Sequence, residues 1–482
     1  MGGFAASGAV MTPDMFIQIG LFEALFLLAL GLLGFFGGII SGFIGFGGAF
    51  VLTHGMMSID APGPIAAASN MCHEFSKAMI GAWRRKKIGH LDVKLATLMA
   101  LSAIAGVQVG IWVQRLILKT LGVTGTNLYS MAFIIVLPIV ASLIVASFCL
   151  RDVIKARKYG IEDTEPEFAK KLEKKFRVPP MINFKVAGRT QSLWLTILTG
   201  FGAGFLPTTI GVGGLIVPLM IYIIGAPSFV ASGTGLGIAF VMGSTGTFTW
   251  TYLVGAVDFR MTTLILAASL IGVQIGAVGT TYVRQYFIKL AMAVVMLLVT
   301  VSRACAIPGY LVDLGWISLD PTIRSVLDSL VLPIMTVAFL SVTPIVLIPM
   351  ISVRRTLSRA GVLTQALVST RHKKRLIPKT VLFGAISGIN YYLLFRDPTA
   401  WPKFVTSIPL ADTITAIALT LGVIFLAIYW SFIHGNFAHC VLDLVKITAL
   451  KKDVAEVISK EGMLGLHRWI SNVRASAAGS SE

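Results

Sequence analysis

The chain has 482 residues, of which 56% are hydrophobic and only 13% charged, and its mean hydropathy is +0.84; a soluble domain carries about 25% charged residues, so this balance excludes an ordinary soluble protein. Its net charge is +18, but the basic residues gather between apolar stretches, at Arg84–Lys87, Arg151–Arg189 and Arg354–Lys379, and form no stripe interleaved with aromatics. That pattern excludes nucleic acid as a partner and matches the positive-inside bias of membrane loops.

No Lys or Arg precedes Lys77, so the first apolar run lacks the basic flank of a cleaved signal peptide. That run, Leu21–Met57, is long for one crossing and short for two, and the glycine cluster Gly45-Phe46-Gly47-Gly48 interrupts it. We read it as a broken, re-entrant hairpin; a single tilted and kinked helix is the alternative. Full spans are expected at 64–83, 95–115 and 129–150, followed by a basic cytoplasmic loop at 151–191. A second broken hairpin, Leu193–Ile224, surrounds Gly211-Val212-Gly213-Gly214. Further spans are expected at 228–253, 262–283, 286–302, 330–351, 380–395 and 409–433. The halves are 15–150 and 192–302; additional membrane segments fill 303–433, with a basic loop at 352–379. The tail, 434–482, reads as a cytoplasmic amphipathic helix with a frayed end.

The two halves are related. Gly34-Phe-Phe-Gly-Gly38 recurs as Gly200-Phe-Gly-Ala-Gly204, Ala61-Pro62 with Ala66 and Ser69 as Ala226-Pro227 with Ala231 and Thr234, Gly89, Asp92 and Lys94 as Gly255, Asp258 and Arg260, and Gly106-Val-Gln-Val-Gly110 as Gly272-Val-Gln-Ile-Gly276. The basic run Arg84–Lys87 follows the second element of the first half, and its counterpart Gly255–Arg260 is nearly uncharged. Threading spans under the positive-inside rule puts the two on opposite faces. The expected fold class is therefore all-α: a polytopic helical membrane protein of two inverted-topology repeats, with the N-terminus outside and the C-terminus in the cytoplasm.

Two glycine breaks at matching places of inverted repeats point to a transport site at the bilayer midplane. Free backbone N–H groups at Gly45, Gly47 and Gly48, and at Gly211, Gly213 and Gly214, would suit a small oxyanion, with Ser41, Thr208 and Thr209 adding hydroxyls. Gly34, Gly38, Gly106, Gly110, Gly272 and Gly276 fit tight helix packing better. In the second apolar element Asn70, His73 and Lys77 share a helical face, and Glu74 lies beside them. Lys77 would attract an anion and His73 or Glu74 would carry a proton, while a plain Glu74–Lys77 pair or an interfacial Lys77 is the bland reading. The matching stretch Gly235–Gly243 is uncharged, so the site would be asymmetric. Gln108, Gln274 and Thr234 are further candidates; each amide either bonds across helices or faces the path. Asp92 and Asp258 read as helix caps.

Absences complete the picture. Cys72, Cys149, Cys305 and Cys440 have no CxxC spacing, and there is neither a Walker A nor an HExxH motif, so no metal or other cofactor and no ATP hydrolysis are expected. His73-Glu74 alone is too thin a constellation for an enzyme. The basic loops could touch anionic membrane lipid, and a homodimer is an open possibility.

The pattern Gly38-Ile-Ile-Ser-Gly42-Phe-Ile-Gly45-Phe-Gly-Gly48, then a Pro-containing turn, A-x-x-[ST] and G-x-x-D-x-[KR], all of it doubled, resembles the TauE/SafE sulfite exporter family, also called the toluene-sulfonate uptake permease family, over roughly residues 30–300. The resemblance implies a secondary transporter of sulfite, a sulfonate or a related small anion, with substrate held where the two glycine loops meet. It departs from the family pattern at Ala49, Leu215, Pro207 and Thr208, and in its His73-Glu74-Lys77 cluster. Transport by alternating access is the leading expectation; a receptor or scaffold that binds the anion without moving it is the rival.

Overall fold

Apolar segments must satisfy their own backbone groups where water is absent, and the described residues of the chain are almost entirely helical in the computed structural model. It describes residues 11–16, 24–45, 52–53, 55–56, 61–121, 137–159, 166–210, 215–313, 317–368 and 373–479. The first half supplies α1 (Ala24–Ile44), α2 (Gly63–Ile88), α3 (Val93–Leu121) and α4 (Leu137–Tyr159). A connector of α5 (Glu167–Lys175) and an antiparallel hairpin, β1 (Met181–Phe184) with β2 (Arg189–Ser192), leads into the second half. That half comprises α6 (Leu193–Ile210), α7 (Ser228–Val254), α8 (Phe259–Gly279) and α9 (Tyr286–Asp313). Helices α10 (Pro321–Arg359), α11 (Lys373–Phe395), α12 (Thr413–Leu444) and α13 (Lys452–Gly479) follow.

Among the described residues, six helices are long and apolar enough to cross a membrane: α3, α7, α8, α9, α10 and α12. Six of the expected spans fall on them. Span 64–83 falls on α2, whose charged residues lower its hydropathy, span 380–395 is the end of the longer α11, and 129–150 lies partly outside the described residues. Leu332, Val337, Ile348, Val381, Leu393 and Phe425 face outward on α10, α11 and α12, while Glu74, Lys77 and Arg85 are buried. Large apolar side chains outside and charge inside suit a lipid surround. The chain is a multi-pass membrane protein.

Both glycine-broken elements turn back on themselves. Gly45 ends α1 with φ +105°, and the chain then returns alongside: Leu52 lies against Gly37, and Leu33 against Gly55. In the second half Ile216–Leu219 and Met220–Ile224 return beside α6, and at their end Gln191 and Arg189 donate to the carbonyls of Ile224 and Gly225 at 3.1 and 3.0 Å. These are hairpins, not single kinked helices.

The halves interleave. Helix α1 packs on α8 and α6 on α3, while α2 packs on α7. Glycines explain how closely. A Cβ on Gly34, Gly38 or Gly42 would strike the backbone of Ile265, Ser269 or Val273, and one on Gly272 or Gly276 would strike Phe35 or Ile39. Gly200 and Gly204 meet Met99 and Ala103 in the same way, and Gly106 meets Phe201 and Phe205. Spacing of four residues keeps each glycine on one face, so two backbones approach along several turns. For Gly34, Gly38, Gly106, Gly272 and Gly276 the packing reading is the one observed.

The doubled A-x-x-[ST] and G-x-x-D-x-[KR] motifs turn out to be partners of each other across the halves. Ser69 Oγ accepts from the Asp258 N–H at 2.8 Å, and Thr234 Oγ1 accepts from the Asp92 N–H at 3.1 Å. Asp258 caps α8 by accepting from Arg260 N, and Asp92 caps α3 by accepting from Leu95 N. The capping reading therefore holds for both. Asp92 also accepts from the N–H groups of Val186 and Ala187, which pins the β-hairpin to the start of α3. Asp92→Ala strands these donors, and a loss of about 1–3 kcal/mol is expected. A lower melting midpoint and faster tryptic cleavage at the exposed Lys185 would show it; an unchanged digestion pattern would refute the pinning.

Helix α12 continues unbroken through residue 434 to Leu444. The tail is docked. Val454, Ile458, Leu466 and Ile470 pack against Val278, Tyr282, Val353 and Leu357, and Tyr282 donates its hydroxyl to the Thr448 carbonyl at 2.7 Å.

Candidate functional site

Helix α2 builds the site. Pro64 in its first turn fixes a helical φ without losing a needed N–H, and Gly89 ends it in the left-handed region, φ +85°. Between them Asn70, His73, Glu74 and Lys77 are all buried. Lys77 Nζ and Glu74 Oε2 form an ion pair of 2.6 Å, and Ser41 of α1 faces the same carboxylate. The plain i, i+3 pairing is thus present, and Lys77 is 0% exposed. Asn70 Nδ2 donates to Thr53 Oγ1 at 2.7 Å, which ties the returning arm of the first hairpin to α2.

His73 Nε2 lies 2.7 Å from Ser269 Oγ on α8. Ser269 Oγ also lies 3.2 Å from the Leu266 carbonyl. Ser269 therefore occupies Nε2, and the ring's other nitrogen is Nδ1. That Nδ1 is buried and bonds nothing among the described residues. It belongs to a titratable ring in the same buried cluster as the Glu74–Lys77 pair.

The other candidates divide. Gln108 Oε1 accepts from Thr249 Oγ1 of α7 at 2.9 Å, and Gln274 Nε2 donates to the Gly435 carbonyl of α12 at 3.4 Å. Both amides bond across helices. Thr234 holds Asp92 as described, and Thr208 is buried on α6. Gly45 lies against the backbone of Ser232. Gly47, Gly48, Gly211, Gly213 and Gly214 lie outside the described residues, as does the Thr209 side chain. Ser41, Asn70, His73, Glu74 and Lys77 are thus brought together with Thr53 and Ser269.

One expectation needs correcting. Arg84 and Arg85 are not loop residues; both lie in the last turns of α2 and are buried. Successive helical residues point about 100° apart, so a run of four cannot all face water. Arg85 faces inward. Its Nη2 donates to the carbonyls of Gly42 and Phe43 at 3.0 and 2.8 Å and to Ser232 Oγ at 2.6 Å, which caps the broken end of α1. Nη1 reaches Thr280 Oγ1 at 3.0 Å and His90 Nδ1 at 3.2 Å.

The sequence reading missed Ser269 and Arg85, although the repeat carried a signal for both. Ser269 stands where the first half has Ala103, and Arg85 where the second half has Thr251. Polar or charged residues in one copy only mark where the halves have diverged.

Among the described residues no group of three or more His, Cys, Asp or Glu is placed to hold a metal ion. No curated protein and no solved structure matches the chain. The model of the sulfite exporter TauE/SafE family matches residues 30–303, more than half of the chain and the whole interleaved core, and the chain belongs to that family.

Proposed function

We propose that the chain carries a small oxyanion, such as sulfite or a sulfonate, across the cytoplasmic membrane together with a proton. The observation that supports this is the buried Lys77–Glu74 pair, with the buried His73 ring in the same cluster. While Glu74 is ionised it occupies Lys77, and an anion has no cation to meet. A proton delivered by way of His73 neutralises Glu74 and frees the ammonium, so anion and proton bind together. The backbone amides at the two glycine breaks, with Ser41, Thr208 and Thr209, complete the anion's shell. The two interleaved halves then rock around this centre to expose it alternately, with the basic segments on the cytoplasmic side.

The test is sulfite flux into proteoliposomes. An imposed pH gradient, alkaline inside, is expected to drive uptake through the wild-type protein. Glu74→Gln leaves Lys77 permanently free, so its flux should no longer respond to the gradient. Wild-type flux that ignores the gradient would end the coupling idea, and saturable binding without any flux would end transport.

A further inference from the structure

Arg85 is fully buried, and every acceptor it meets is neutral: two carbonyls, two hydroxyls and one imidazole. Its Nε bonds nothing, and no carboxylate pairs with it among the described residues. A buried cation without a counter-charge is unfavourable, so a site of this kind calls for an anion. Burial and the neighbouring guanidinium push the His90 ring, on the link after α2, down to about 3, so it meets Arg85 as a neutral acceptor.

Next to it lies an open cavity of about 700 Å³, between the end of α2, the residues after α8 and the docked tail. Arg84, Lys87, Lys452 and Lys460 line it, against Asp443 and Glu456, so its lining is net positive. His90 and Thr280 line it too, and these are the two partners of Arg85 Nη1. The guanidinium is therefore one side chain away from open space. Thr280 commits its hydroxyl proton to the Ala277 carbonyl, and Ser232 commits its own to Phe229. Both are pure acceptors toward Arg85. An oxyanion arriving from the cavity would compete with them for the N–H groups and win on charge.

We propose that Arg85 and this cavity form a second binding site for a small oxyanion, apart from the Lys77 cluster, with α13 as its outer wall. The two cations are eight residues apart on α2, about 12 Å along the axis. The site rests on the transport reading only for the class of its ligand.

Sulfate titrated onto the full-length protein in detergent tests this, read by thermal shift and calorimetry. Sulfate should stabilise the wild type, the stable Glu74→Met, Lys77→Met double variant should keep the part of that binding which Arg85 supplies, and Arg85→Gln should bind it about tenfold more weakly. Thr280→Val removes a competing acceptor and no donor, so it should bind sulfate several-fold more tightly, a direction that a merely structural Arg85 does not give. If Arg85→Gln does not fold, Thr280→Val decides: unchanged or weaker binding overturns the site. So does wild-type affinity in Arg85→Gln, complete loss of binding in the Glu74→Met, Lys77→Met double variant, or an equal response to chloride. Sulfite flux without sulfate stabilisation removes this site alone, and sulfate binding without flux removes the transport reading alone.

Discussion

Lys77→Met is expected to abolish sulfite flux and to destabilise the protein by about 3–5 kcal/mol, because it leaves the Glu74 carboxylate buried without its partner. Glu74→Met should be comparably destabilising for the converse reason. The double variant, Glu74→Met with Lys77→Met, puts an apolar pair in an apolar bundle and should recover most of the lost stability. Flux should stay absent in it. Melting midpoints in detergent, set beside proteoliposome flux, separate the two roles of the pair. A double variant that recovers both stability and flux would make the pair purely structural.

The second large effect concerns the seams between halves. Gly272→Val puts a side chain into the backbone of Phe35 and Ile39, where neither helix can yield without separating from the other. A loss of about 4 kcal/mol or more is expected, enough to leave little folded protein in the membrane. Gly202→Ala is the matched control: a Cβ there meets nothing within 4 Å. Its yield and gel-filtration profile should equal the wild type's. If both variants fold equally well, the close approach of α1 and α8 is not what holds the core together.

The seams were legible in the sequence because close backbone approach admits only glycine, turn after turn, and leaves a periodic trace. The caps at Asp92 and Asp258 were legible because capping is local. The pairing of Ser69 with Asp258, and of Thr234 with Asp92, was not, since its partners are far apart in the chain and are joined only by the fold. Arg85 was misplaced for a different reason. Four consecutive basic residues look like an interface, and only the direction each takes from the helix axis separates the one that points inward. Glu74 and Lys77 were in view from the start; which of their possible roles they take depends on distances that spacing alone cannot supply.

Interleaving also has a consequence for how the protein is made. The surface that α1 was shaped to meet runs through Ile265, Ser269 and Val273, which leave the ribosome long after α1 itself. Until then its glycine face has only lipid or the translocation machinery beside it, and the amide of Asp92 lacks the hydroxyl of Thr234. Neither half is a finished unit that waits for a second. Each is a mould for the other, and the core can set only when the later half has been synthesised.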